Sequence, residues 1–328
     1  MIVSTRRADP SAIAVQIPDI AAAIFLRTSL LWIAVTAQPL SQICQCPKLS
    51  DHCYNPKVTP FIAFDKVLRE VDVFVTNDGY KYMSQHFVLI HGAWHGGWCW
   101  DGVIRELENA GHTAVAPTLP GNNPDDDFAS VTFADYLDAI AAVLEQQQKP
   151  VILVGHSSAG FLLQAVAPKA AKKIAHLVFH NAFILPNGAS QLDMFLPEVA
   201  KILIDAAMAS PHKSVPVLED LVRNALMKDD STEVQNALLS RLVPQPFVLF
   251  NTKVKTNDFF ALNIPQTVLF CKDDRSLPPG TYLKMVQSLG TYELIECPGG
   301  HETLFIDPKI IANALTKIGT NPTFHAIA

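Results

Sequence analysis

Residues 149–167, KPVILVGHSSAGFLLQAVA, restrict the possible folds more than any other part of the chain. Val151, Ile152, Leu153 and Val154 form an unbroken aliphatic run between Pro150 and Gly155. Such a run, with no polar alternation, marks a strand covered on both faces, as in a parallel sheet. From Ala159 the period changes, and Phe161, Leu162, Ala165 and Val166 fall on one side of a helix. Between strand and helix lies Gly155-His156-Ser157-Ser158-Ala159-Gly160. A sharp strand-to-helix turn brings backbones together and needs small neighbours. A serine at its apex projects its hydroxyl beside a helix N-terminus, where free N–H groups favour negative charge. Ser157 is therefore the candidate nucleophile. The alternative is that Ser157 or Ser158 only caps the helix. Ala159 also stands where G-x-S-x-G has its last glycine, so the decision rests on what else the chain carries.

The chain has 328 residues, 49% of them hydrophobic and 17% charged, enough for one large domain or two modest ones. A net charge of −6 leaves no basic surface for nucleic acid. Residues 1–60 differ from the remainder and are read as an N-terminal extension to a domain spanning 61–328. Within it, residues 20–37 are apolar apart from Arg27, Thr28, Ser29 and Thr36. They resemble a signal-peptide core followed by small residues, or a short membrane anchor. Secretion or anchoring is favoured over a cytosolic enzyme with an added segment, and membrane contact is expected only there. Cys44, Cys46 and Cys53 with His52 lack the spacing of a metal site. Cys99, Cys271 and Cys297 are scattered through apolar surroundings.

Residues 71–75 and 80–83 flank the turn signal Asn77-Asp78-Gly79 and read as a hairpin. Phe87-Val88-Leu89-Ile90 is a second buried-strand run, ending in the Gly- and aromatic-rich loop His91 to Trp100. A helix at 101–110, a strand at 113–116 and a helix at 132–147 follow, with Asp125 to Asp127 in a solvated loop. After another strand at 175–180, the alternation implies a mostly parallel α/β sheet flanked by helices. From about 186 to 265 strands stop and helical patterns take over, at 192–209, 217–227 and 232–242. That block reads as an inserted helical cap. A strand at 267–271, a helix at 280–289 and a strand at 292–295 complete the pattern, and 315–328 reads as a frayed end.

Loops after the C-terminal ends of parallel strands share one edge of the sheet, where ligands bind. Ser157, Asp274 and His301 follow three such strands in that order, the order expected of α/β-hydrolases. Serine needs a base to attack a carbonyl. His301 fills that role, and a carboxylate on its far nitrogen fixes the tautomer. Asp274 is preferred for the carboxylate, with Asp273 as the alternative. The oxyanion donors expected of this layout are the backbone N–H groups of Ser158 and Ala93. His91 and His95 lie in a loop, which favours loop-shaping hydrogen bonds over metal binding, and His156 reads as a packing residue. Trp94, Phe183, Met194 and Phe195 are candidates for the substrate pocket, with Leu185 beside them, and no metal is expected.

FVLIHGAWHGGWCW, LVGHSSAG, FCKDDRSLPP and PGGHE resemble the α/β-hydrolases grouped around plant methylesterases, hydroxynitrile lyases and bacterial EstC-type esterases. The resemblance spans about residues 87–319 and is weakest through the cap. It implies the α/β-hydrolase fold, a triad of Ser157, Asp274 and His301, oxyanion donors at Ala93 and Ser158, and no metal or organic cofactor. It also separates two chemistries. In the plant lyases a threonine follows the first loop's histidine, and a cyanide-handling lysine follows the catalytic histidine. Here those positions hold Gly92 and Glu302, and a glutamate repels cyanide. A serine hydrolase cleaving small, largely apolar carboxylic esters through an acyl-enzyme is the favoured function. Lyase-like C–C cleavage and a non-catalytic small-ligand receptor are the alternatives. Nothing in the sequence speaks to oligomeric state.

Overall fold

The computed structural model describes residues 84–318 throughout, together with short strands at 13–14, 26–28, 31–34, 73–76 and 79–82. The chain divides into two compact units, Met1–Lys81 and Tyr82–Ala328. In the first, Leu31–Ala34 is the middle strand of three, parallel to Ile13–Ala14 and antiparallel to Leu26–Thr28. The apolar segment 20–37 is thus strand wherever it is described. Among the described residues no helix is long and apolar enough to cross a membrane. Cys44, Cys46, His52 and Cys53 lie outside the described residues. Val73–Thr76 pairs with Gly79–Tyr82, as the hairpin reading expects, although Asn77 and Asp78 of the turn lie outside the description.

The second unit is built on six parallel strands: β1 His86–Ile90, β2 Thr113–Val115, β3 Val151–His156, β4 Ile174–His180, β5 Gln266–Cys271 and β6 Glu293–Cys297. Their order across the sheet is β6-β5-β4-β3-β1-β2. The aliphatic runs are unbroken because both faces are covered. Val88, Ile90, Val151 and Leu153 pack into one core with helices α2 (Phe133–Glu145) and α3 (Ala159–Ala170). Phe87, Leu89, Ile152 and Val154 pack into the other, against α1 (Asp101–Asn109) and α7 (Pro308–Leu315). Each such aliphatic side chain contributes about 1.5–3 kcal/mol when removed from water. Local signals set the helix ends. Thr132 and Asp135 form a reciprocal capping box that starts α2.

The cap departs from expectation in two ways. The helix expected over 192–209 is broken into a turn at Leu192–Met194 and α4, Pro197–Ala209. Pro197 lacks an N–H to continue a preceding helix and presets the first turn of a new one. The stretch 186–265 also contains strand: Ser214–Val215 pairs antiparallel with Gln245–Pro246. Two residues a side are too few for a period-2 pattern to register in the sequence. Further on, α5 (Thr232–Leu239) and α6 (Thr281–Val286) fall inside the expected helices. Helix α7 was not expected; it runs into the stretch read as frayed, where Leu315 and Ile318 are instead buried in the core, while 319–328 lie outside the description. Nor are all three downstream cysteines scattered. Cys271 and Cys297 are register partners on β5 and β6, with Sγ atoms 3.1 Å apart.

Candidate active site

Ser157 follows β3 directly, with φ of 54°, a left-handed backbone that costs a non-glycine residue about 1–3 kcal/mol. Hydrogen bonds on both sides hold it there. Its N–H donates to the His180 carbonyl (3.1 Å), and its carbonyl accepts from Phe183 N (3.0 Å) and Gly160 N (3.1 Å). The Ser158 hydroxyl makes no hydrogen bond and does not cap α3, which removes support from the capping alternative. Two glycines permit this turn. A Cβ on Gly92 would stand 2.9 Å from Ser157 Cβ, and one on Gly160 would stand 2.4 Å from the Phe183 carbonyl oxygen. The close approach falls on Gly160, so the position before it accepts Ala159.

The loops after β5 and β6 bring Asp274 and His301 together. His301 Nδ1 donates to Asp274 Oδ2 at 2.8 Å, with both residues buried. The same carboxylate accepts from the Ser276 amide at Oδ1 (2.8 Å) and from the Asn181 side chain at Oδ2. Burial opposes the charge on Asp274. His301, Ser276 and Asn181 outweigh it and hold the carboxyl well below the usual carboxylate range. On His301 burial also opposes the charge, but Asp274 and then Glu302 outweigh it and raise the imidazole above its ordinary value. Asp273, the alternative acid, is exposed and accepts from the Gly299 amide instead (2.9 Å). His156 is buried, neutral and more than packing. Burial and neighbouring histidines drive its pKa far down, and its Nε2–H donates to the His301 carbonyl at 3.0 Å.

The loop after β1 supplies the remaining wall. His91 shapes it, donating from Nδ1 to the Gly92 carbonyl (2.8 Å) and accepting at Nε2 from Leu119 N (3.0 Å). Burial lowers the His91 pKa to about 4, so the ring is neutral, as this pattern requires. Trp94 adopts φ of 64°. Its amide donates to Gln245 Oε1 (2.8 Å) and its indole N–H to the Val215 carbonyl (3.2 Å). Both partners belong to the short strand pair of the cap. Among the described residues the amides of Ala93 and Ser158 donate to no protein acceptor.

Ala93, Ser157, Ser158 and His301 all border one cavity of about 290 Å³. Trp94, Phe183, Met194 and Phe195 line it too, whereas Leu185 belongs to the core, its backbone tied to the Gln164 side chain. Leu196 and Val199 at the start of α4 extend the apolar wall. Among the described residues no cluster of three or more His, Cys, Asp or Glu is arranged to hold a metal. Asn181, Gln245 and Ser276 escaped the sequence reading. Asn181 carried a faint signal, being the first polar residue after a buried strand whose end faces the same sheet edge as Ser157.

A model of the alpha/beta hydrolase family matches residues 87–314. The chain belongs to that family. It is 28% identical over 247 residues to a carbendazim hydrolyzing esterase of Nocardioides sp. (strain SG-4G), covering 71% of this chain and 99% of that protein. It is also 28% identical over 256 residues to methylesterase 1 of Arabidopsis thaliana, covering 72% and 96%. Among solved structures, an extracellular alpha/beta-hydrolase from a Paenibacillus species superposes with a TM-score of 0.69 at 29% identity. That match covers 72% of this chain and 100% of the other.

Proposed function

We propose that this alpha/beta hydrolase is a carboxylic ester hydrolase that acts on small, largely apolar esters through an acyl-enzyme on Ser157. The observation that carries the reading is the buried Asp274–His301 pair, at 2.8 Å, whose imidazole borders the same cavity as Ser157. His301 takes the Ser157 proton as the hydroxyl attacks the ester carbonyl, and Asp274 balances the imidazolium that forms. The free amides of Ala93 and Ser158 meet the oxyanion. His301 then returns its proton to the departing alkoxide, and a water activated by the same imidazole releases the acid. The esterase and methylesterase names of the relatives support ester cleavage. The aromatic and aliphatic cavity wall supports an apolar substrate. Glu302, fully buried beside His301, sets a negative charge where a cyanohydrin lyase needs a positive one.

The test is hydrolysis of p-nitrophenyl acetate and butyrate by wild type and Ser157→Ala. Activity lost in the variant, with an acyl adduct trapped on Ser157 of the wild type, is the expected result. Equal activity in both removes Ser157 as the nucleophile. Mandelonitrile cleavage without ester hydrolysis would establish the lyase instead.

A further inference from the structure

At the edge of the same cavity, the loops after β1 and β6 meet through a pair of side chains that the mechanism above leaves unused. His95 Nδ1 lies 2.8 Å from the Ala93 carbonyl oxygen, and His95 Nε2 lies 3.2 Å from Glu302 Oε2. The side chains of His95 and Glu302 are 3% and 0% exposed. The second contact is an ion-pair approach without hydrogen-bond geometry, and neither His95 Nε2 nor either oxygen of Glu302 has a hydrogen-bond partner. A carboxylate stripped of water in this way is costly unless a cation meets it.

The protons can be placed from the partners. A carbonyl oxygen only accepts, so His95 Nδ1 carries a hydrogen. The approach of Nε2 to Oε2 would then set lone pair against lone pair, unless one proton lies between them. One proton is therefore held in the pair. Burial opposes ionisation of Glu302, yet His95 and then His301 outweigh it and keep the carboxyl below its usual pKa. With Nδ1 carrying its hydrogen, His95 points a donor at Ala93 whichever partner holds the shared proton.

Position along the chain gives this contact its meaning. His95 is two residues past Ala93, and Glu302 is next to His301. We propose that Glu302 and His95 are positioning residues for the oxyanion site. Glu302 locks the orientation and donor state of His95, and His95 holds the Ala93 carbonyl, across the Cα from the amide that meets the developing negative charge. His156 completes the brace. It stands edge-on to the His95 ring at 6.4 Å and ties the residue before Ser157 to the His301 carbonyl. The inference rests on the serine-hydrolase reading of the site.

A loosened oxyanion donor weakens binding of the transition state and leaves ground-state binding alone, so kcat falls while KM holds. Glu302→Met keeps the volume but neither charges nor hydrogen-bonds the His95 ring. It is expected to lower kcat by about tenfold or more, with KM unchanged within about twofold. Affinity for an alkyl trifluoromethyl ketone, whose adduct carries the oxyanion, should fall in proportion. Glu302→Gln offers its amide N–H to a neutral His95 Nε2 and should recover most of the loss. Because Glu302→Met leaves His95 without its partner, the double variant His95→Phe/Glu302→Met is the safeguard against misfolding. It carries the same expectation, with a loss no greater than that of either single change. Wild-type kcat and ketone affinity in folded Glu302→Met or in the double variant overturn the inference, as does a loss confined to KM. If Ser157→Ala keeps its activity, the hydrolase reading fails and takes this inference with it. If Ser157→Ala is inert and Glu302→Met matches wild type, only the inference falls.

Discussion

Replacing Asp274 by Asn removes one charge and one acceptor from the middle of the site. In the native structure Oδ2 takes both the His301 Nδ1–H and the Asn181 side-chain N–H, while Oδ1 takes the Ser276 amide at 2.8 Å. An asparagine has one oxygen for these three donors. If the oxygen faces His301, its NH₂ group confronts the Ser276 N–H. If it faces Ser276, the NH₂ opposes the His301 Nδ1–H and turns the ring to the tautomer with hydrogen on Nε2, where Ser157 needs an acceptor. Either arrangement leaves an unsatisfied buried donor, costing about 1–3 kcal/mol of stability. The catalytic effect is larger, because the tautomer is wrong and the imidazolium has lost its counter-charge. A fall of about 10⁴-fold in kcat is expected for such a change, or about 5.5 kcal/mol at the transition state. The pH profile supplies an independent sign. His301 acts only when neutral, and Asp274 raises its pKa above 6.5, so wild-type kcat/KM should fall as pH drops through a value above 6.5. Without the carboxylate the largest influence left on His301 is burial, which favours the neutral ring. The acid limb of the residual activity should therefore move to lower pH. Ester hydrolysis by wild type, Asp274→Asn and Asp273→Asn across pH measures both effects. Asp273 is exposed and bonded to Gly299 N, so its variant should stay within about threefold of wild type. An Asp274→Asn enzyme within tenfold of wild type and with an unmoved acid limb would refute Asp274 as the triad acid.

Gly92→Ala should abolish at least about 99% of kcat with the fold intact, because the new Cβ reaches Ser157 Cβ at 2.9 Å and displaces the nucleophile; steady-state kinetics beside a thermal melt would show it, and a fully active variant would disprove the constraint. Gln245→Leu strips the Trp94 amide and the Asn122 side chain of their acceptor and Tyr136 of its donor. It should lower unfolding free energy by about 2–4 kcal/mol in urea titration and reduce kcat as the oxyanion loop relaxes.

The sequence by itself determined the sheet and singled out the candidate chemical groups. An unbroken aliphatic strand is legible because both of its faces need apolar cover, and a serine between small residues is legible because the turn admits little else. Ser157, Asp274 and His301 could be ordered along the chain since parallel strands send their following loops to one edge. Tertiary structure alone shows which of Asp273 and Asp274 contacts His301. Both lie in the turn after β5, where no period assigns a direction, and only packing shows which carboxylate meets His301 and which meets Gly299. It alone revealed Asn181, Gln245 and the His95–Glu302 pair, whose partners lie 93, 151 and 207 residues apart. Such contacts leave no periodic trace, because a buried polar group is specified by its partner across the fold and not by its neighbours in the chain. The break at Pro197 and the two-residue strands of the cap were hidden for a related reason. Short segments owe their conformation to what they pack against, while long periodic ones announce it themselves.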